Sequence, residues 1–159
     1  MTPDIDWTLA PLDRFDARAV HDLLRLRVDV FVVEQACAYP EIDGRDALPG
    51  TRHLVGRARG ETVACGRSLV GEDDALAGAG PARVGRIAVA RAWRGRGLAR
   101  ELMRRLLDDL EARAPDRDVA LGAQLPAEPL YASFGFRRCS DEYLEDGIPH
   151  VDMRLARAR

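Results

Sequence analysis

The hydrophobic positions switch between two periods along the chain. From Ile5 to Ala10 they alternate, with Trp7 and Leu9 on one face, which predicts a short strand closed by Pro11. Asp13 or Asp16 then serves as N-cap for a helix whose apolar stripe is Val20, Leu23, Leu24, Val28 and Phe31, running on into Val32-Val33-Glu34-Gln35. His53–Ala58 and Thr62–Val70 read as strands about an Arg59-Gly60 turn, and Val84–Ala90 as a further strand. Leu98, Leu102, Leu106 and Leu110 mark a long helix that Pro115 stops, with Glu101/Arg105 and Arg104/Asp108 pairs on its outer face. Val119–Gln124 is a short buried strand. A helix over Glu128–Phe134 follows, capped by Gly135. Phe136–Leu144 and His150–Leu155 form a last hairpin about Glu145-Asp146-Gly147. The order β-α-β-β-β-α-β-α-β-β predicts one α/β domain over residues 1–159, without repeats. Two loops interrupt it: an acidic, proline- and glycine-containing segment from Ala36 to Thr51, and a surface loop from Gly71 to Pro81.

Composition narrows the class. Hydrophobic residues make up 47% of 159 and charged residues 31%, which excludes a disordered chain. All 24 basic residues are arginine, balanced by 26 acids for a net charge of −2, so no general affinity for nucleic acid is expected. The basic run Arg91, Arg94, Arg96, Arg100, Arg104 and Arg105 has little aromatic interleaving for base stacking, and its helix must bury a leucine face. Cys37, Cys65 and Cys139 contain no C-x-x-C, so no metal site is expected and they read as small buried residues. Neither a secretory signal nor an apolar membrane-spanning run is visible, which leads to the expectation of a cytoplasmic protein with no membrane partner.

The most informative stretch is the strand ending near Ala90, then Arg94-Gly95-Arg96-Gly97-Leu98-Ala99 opening the long helix. A helix start offers unpaired N–H groups and the positive end of the helix dipole, which suit a phosphate. Arg100 occupies the third-glycine position of a dinucleotide fingerprint, and a chain without lysine cannot form a nucleoside-triphosphate loop.

Arg94-x-x-Gly97-x-Ala99 resembles the R/Q-x-x-G-x-G/A signature of the Gcn5-related N-acetyltransferases (GNAT), and Tyr131-Ala132-Ser133-Phe134-Gly135-Phe136 resembles their Y-x-x-F-G-F segment. Arg27 to Gln35, Ile42-Asp43-Gly44 with Asp46 and downstream His53, Leu121 to Gln124, and Glu145 to His150 are similar to blocks of the ElaA-like subfamily. The resemblance implies a mixed, twisted central sheet flanked by helices on both faces. It implies acetyl-CoA (coenzyme A) as cofactor, held by Ile87, Ala88, Val89, Arg94, Gly95, Arg96, Gly97, Leu98, Ala99, Gln124 and Tyr131. The acceptor it implies is an amine of a small molecule or a protein, attacked directly.

Such a transfer needs a polarised carbonyl, a protonated leaving thiolate and a base for the amine. Tyr131 is the candidate acid, and backbone N–H groups of a bulged Ile87–Val89 strand are the candidate polarisers. Glu34, His53 and His150 are the candidate bases. Arg27, Glu34, Gln35, Asp43, Asp46, Arg86, Glu145 and His150 are expected to bind the acceptor, although Arg86 could equally pair with a carboxylate. Gln124 anchors either cofactor or loop. Glu41, Asp43, Asp46, Asp141, Glu142, Glu145 and Asp146 favour a cationic acceptor such as a polyamine, an aminosugar or a protein N-terminus. Two other readings remain open: a non-catalytic acyl-CoA-binding module on the same fold, and homoserine-lactone synthesis, suggested by Arg27-x-x-x-Phe31. Dimerisation through the C-terminal hairpin is a further expectation.

Overall fold

The structure, a computed structural model, describes residues 4–71 and 80–158. Most of the surface loop expected from Gly71 to Pro81 therefore lies outside the described residues. In chain order the elements are β1 (Asp6–Ala10), α1 (Ala17–Val28), β2 (Thr51–Ala58), β3 (Glu61–Leu69), β4 (Ala82–Val89), α2 (Leu98–Arg113), β5 (Val119–Gln124), α3 (Glu128–Ala132), β6 (Arg137–Arg138), β7 (Tyr143–Glu145) and β8 (Ile148–Leu155). Among the described residues no helix is long and apolar enough to cross a membrane.

All eight strands join one sheet in the order β1-β2-β3-β4-β5-β8-β6, with β7 also on β8. Every pairing is antiparallel except β4 with β5, so the sheet is mixed, as expected. The turns follow from local chemistry. Arg59-Gly60 and Asp146-Gly147 both have positive φ at their two central residues, as a two-residue hairpin requires. Asp16 rather than Asp13 caps α1, accepting from the Ala19 N–H at 2.8 Å.

The two sheet faces carry separate cores. The leucine stripe of α2 packs with Leu54, Val84, Leu121, Val151 and Phe136 on one face. Leu23, Leu26 and Val30 of the first helix pack with Val55, Cys65 and Ala88 on the other. Past Val28 the first helix widens into a π-helical turn over Asp29–Glu34. That turn carries Glu34 and Gln35 out over the sheet.

Strand β4 is irregular on both edges. Its pairing with β5 covers only Ala82↔Val119 and Arg83↔Ala120, after which the strands part. On its other edge, Cys65↔Ala88 and Arg67↔Gly85 enclose one residue on β3 but two on β4, a bulge at Arg86, whose φ is +53°. The bulge takes in Ile87, the first residue of the expected segment, together with Arg86 before it. Gly66 faces it, and a Cβ there would sit 2.8 Å from both Ile87 Cδ1 and Leu106 Cδ1, so glycine lets the helix close on the sheet.

Three expectations need correction. The last hairpin is broken: β6 and β7 are separate short strands, and β8 begins two residues before His150. The helix α3 ends at Ala132 instead of continuing to Phe134. Cys37 and Cys65 are buried, but Cys139 is exposed, because it follows the sheet-edge strand β6.

Leu106 is fully buried at the contact of α2 with the bulge. Leu106→Ala is expected to lower unfolding stability by about 2–5 kcal/mol in urea titrations, as for other large-to-small core changes.

Candidate active site

Where β4 and β5 part they open a cleft of about 1210 Å³, walled also by the π-helical turn, the Gln35–Gly50 loop, the start of α2 and the β7–β8 hairpin. From Val84 onward the β4 edge facing β5 has no ladder. The Ala90 N–H donates to Val63 O at 2.8 Å, toward β3. Backbone groups alternate in direction along a strand, so those of Val89, and of Ile87 before it, face the gap. Val89 C=O does so visibly, accepting from Arg94 Nε at 3.0 Å.

The mouth is formed by Arg94–Ala99. Gly95 and Gly97 have φ of +75° and +79°, and a Cβ on either would meet no atom within 4 Å, so backbone lies bare to the cleft side of the turn. Gly97 immediately precedes α2 and leaves the first N–H groups of that helix without intrahelical partners. Gly95, Gly97, Leu98 and Ala99 line the cleft. Arg96 does not; its guanidinium stacks over the Trp93 ring at 4.7 Å.

Arg94 is already engaged. Its two terminal nitrogens hold Glu34 at 2.5 and 2.7 Å, a bidentate pair across the mouth. The hydrogen bond from Arg94 lowers the Glu34 pKa, which makes the carboxylate a poor base. Beside it, Gln35 and Gln124 exchange amide hydrogen bonds of 3.1 and 3.3 Å. Gln124 thus ties β5 to the π-helical turn, the loop-anchoring role of its two expected roles.

Deeper in, Tyr131 is 8% exposed and lines the cleft. Its ring packs edge-on against Phe136 at 6.3 Å. Its hydroxyl has no hydrogen-bond partner among the described residues. Burial alone pushes its pKa up to about 12, so the proton stays on oxygen at neutral pH.

The acidic loop is held by arginines. Arg27 Nε contacts Glu41 at 2.7 Å and its Nη1 contacts Asp46 at 2.6 Å. Arg67 reaches Asp43 and Asp46, both at 3.0 Å, and Arg86 reaches Glu41 at 2.9 Å and Asp43 at 3.4 Å. Tyr39 adds a short hydrogen bond to Glu41. Three guanidinium groups thus neutralise three carboxylates. His53 closes the network from below, Nε2 against Asp46 O at 3.0 Å, and burial lowers its pKa so that the ring stays neutral.

This arrangement corrects several expectations. Arg27, Asp46 and His53 are at most 5% exposed and do not line the cleft, so they support the site and cannot touch an acceptor. Glu41 is likewise buried, and Asp43 faces the cleft already paired, so neither leaves a free negative charge for a cation. Arg86 takes the carboxylate-pairing alternative while still lining the cleft. Arg67 was not singled out by sequence reasoning. Its signal was available: a charged residue on the inward face of a strand buried from Val63 to Leu69 demands a buried partner.

Opposite, His150 lines the cleft and stacks on Tyr143 at 5.9 Å. Its Nδ1 lies 2.7 Å from Ile148 O, and a carbonyl only accepts, so the neutral ring carries its proton there. The Nε2 lone pair is left on the cleft side, 3.4 Å from Glu145 Oε2. Tyr143 donates to Asp152 at 2.6 Å. Tyr143, Asp152 and Arg83 were missed in the sequence, because no motif marks them as site residues, and Gly122, inside the Leu121–Gln124 block, was given no role.

A family model described as an acetyltransferase (GNAT) domain matches residues 30–157. The chain is 39% identical to protein ElaA of Escherichia coli over 149 residues, 94% of this chain and 95% of that one. It is 44% identical to a UPF0039 protein of Mycobacterium tuberculosis over 138 residues, 87% and 85% of the two chains. Crystalline Escherichia coli ElaA superposes with a TM-score of 0.88 at 37% identity, covering 95% of this chain and 99% of that one. An acyl-CoA N-acyltransferase from Pseudomonas aeruginosa superposes with a TM-score of 0.87 at 38% identity, covering 98% and 100%.

Burial opposes ionisation of Asp43, yet the hydrogen bonds from Arg67 and the Arg45 N–H bring its pKa down to about 2. A depressed carboxylate pKa contributes stability above the unfolded value of roughly 3.9 and loses it as pH falls through the folded value. Urea midpoints are therefore expected to decline from about pH 4 to about pH 2, and to decline less steeply in Asp43→Asn. Equal slopes in the two proteins would remove Asp43 from that account.

Proposed function

Because the chain belongs to the GNAT acetyltransferase family, in its ElaA-like branch, we propose that it transfers an acetyl group from acetyl-CoA to an amine of a small molecule or protein by direct attack. The observation that carries this reading is the unpaired β4 edge in the same cleft that Tyr131 lines, with the bare Gly95–Gly97 backbone at its mouth. These residues fit a thioester with a diphosphate tail, and acetyl-CoA would supply the activated acyl group.

The Val89 and Ile87 N–H groups, fixed by the strand and costing no reorganisation, are placed to donate to a carbonyl oxygen. The α2 N-terminus and the glycine turn offer N–H groups to a diphosphate. Tyr131, protonated and unpartnered, can give its proton to a thiolate leaving group. The Nε2 lone pair of His150 can take the proton of an attacking amine, directly or through one water.

Tyr131→Phe is expected to lower kcat for thiol release by about 10²–10⁴-fold while leaving thermal stabilisation by coenzyme A nearly intact. Activity within a few-fold of wild type would return Tyr131 to a packing role. Thermal stabilisation without turnover of any amine, in wild type, would favour the acyl-CoA-binding module.

The Glu34–Arg94 pair sets a second expectation. A diphosphate and Glu34 compete for one guanidinium, and an exposed ion pair is worth about 0–1 kcal/mol. Glu34→Gln should therefore bind coenzyme A up to about fivefold more tightly by calorimetry. Weaker binding in that variant would mean that Glu34 serves the ligand instead of opposing it.

A further inference from the structure

Glu34, Asp43 and Asp152, which line the cleft, have partners of their own, but one lining arginine has none among the described residues. Arg83 sits on β4 at the last pair before the strands part. It lines the cleft, is half-buried, and its side chain forms no ion pair or hydrogen bond with any described residue. Its cross-strand neighbour Leu69 shares its face and also lines the cleft. On β5 and β8 the same face presents Gly122, Asp152, Gln124 and His150, since Arg83 pairs with Ala120 and the register continues Gly122↔Asp152 and Gln124↔His150.

None of the nearby carboxylates among the described residues is bonded to Arg83. Asp152 accepts from Tyr143 at 2.6 Å, Asp43 is held by Arg67 and Arg86, and Glu145 lies at the His150 end, bonded to no arginine among the described residues. Burial and the bond to Asp152 raise the Tyr143 pKa against the pull of Arg83, whose charge therefore reaches that hydroxyl. Gly122 keeps the floor between them open. A Cβ there would come within 3.2 Å of Tyr143 Oη and 3.7 Å of Asp152 Oδ1. The result is a short trough with the Arg83 cation at one end and His150 Nε2 at the other. Their backbone levels, Ala120 and Gln124, are four residues apart on β5, roughly 13 Å of strand, and the arginine side chain covers much of that span.

We propose that the acceptor is a small molecule carrying a carboxylate as well as the reacting amine, an amino-acid-type acceptor, with Arg83 as the specificity-determining residue that binds its carboxylate. This rests on the acetyltransferase reading for which end reacts, but not for the carboxylate contact itself. Arginine suits the task because its planar fork takes a carboxylate through two parallel hydrogen bonds. A charge left unpaired and half-buried is costly, so a ligand that pairs it gains in affinity over an uncharged analogue. The expectation of a polyamine or aminosugar acceptor is weakened here, since Glu41, Asp43 and Asp46, three of the acids that suggested it, are held by arginines.

Glycine, β-alanine and 4-aminobutanoate, each beside its primary amide, test the idea with acetyl-CoA as donor and coenzyme A thiol release as readout. Wild type is expected to favour the acid over the amide at least tenfold in kcat/KM for one or more pairs. Arg83→Gln should bring that ratio close to one, and Arg83→Lys should restore part of it, which a folding defect would not do. A wild-type preference for amides, or an unchanged ratio in Arg83→Gln, would overturn the proposal. Binding of the same six compounds to the coenzyme A-loaded protein, followed by calorimetry, separates the two layers. If nothing is acetylated yet the acids bind and Arg83→Gln abolishes that binding, the carboxylate site stands and the transferase reading falls. If none of the acids binds or reacts, the proposal fails.

Discussion

The cleft of this molecule depends on β4 and β5 pairing for two residues and then separating. A parallel pair continued to the strand ends would have satisfied the backbone of Val84–Val89 and closed the sheet. Parting leaves polar edge groups that must find other partners, since unmet buried N–H and C=O groups are costly. Arg94 already answers one of them at Val89 O. The bulge at Arg86 contributes to the same end by breaking the ladder on the other edge and turning a charged side chain toward the acidic loop.

The acidic loop solves a second problem. A segment of this length has few large apolar residues to bury, so it cannot be fastened by a hydrophobic core alone. Ion pairs fasten it instead, and they sit at the boundary between the first helix and the sheet, where Arg27 and His53 are almost wholly excluded from solvent. Such a network gains little over an apolar core in net stability, because desolvation offsets most of the Coulomb attraction. What it provides is position: Asp43, Arg67 and Arg86 reach the cleft wall with their orientations set by groups behind them.

Local signals carried most of the fold into the sequence. The leucine spacing of α2, the two Xaa-Gly hairpin turns and the glycine turn before α2 each follow from a few adjacent residues, and each stands where its pattern places it. The partners of site residues are a different matter. Arg94 meets Glu34 across 60 positions, and Gln35 meets Gln124 across 89. Nothing near either residue in the chain announces such a meeting. The acids of the loop illustrate the consequence: their composition suggests an open negative surface, and only the arrival of Arg27, Arg67 and Arg86 from three separate elements cancels it. Arg83 is the converse, an ordinary residue in sequence that stands out only because no carboxylate among the described residues pairs with it.

The sharing of Asp46 between Arg27 and Arg67, and of Glu41 between Arg27 and Arg86, links the six charges into one chain. Loss of any one member leaves its neighbours charged and buried, so effects within the set cannot add independently. The six positions are therefore coupled, and a substitution at one is felt by the others. A neutral route from this arrangement to an uncharged one must pass through intermediates that carry an uncompensated charge. The loop and the helix that it braces are in that sense one unit of change, whereas the trough beyond them is held by separate pairs such as Tyr143 with Asp152 and Gln35 with Gln124, each of which can be altered on its own.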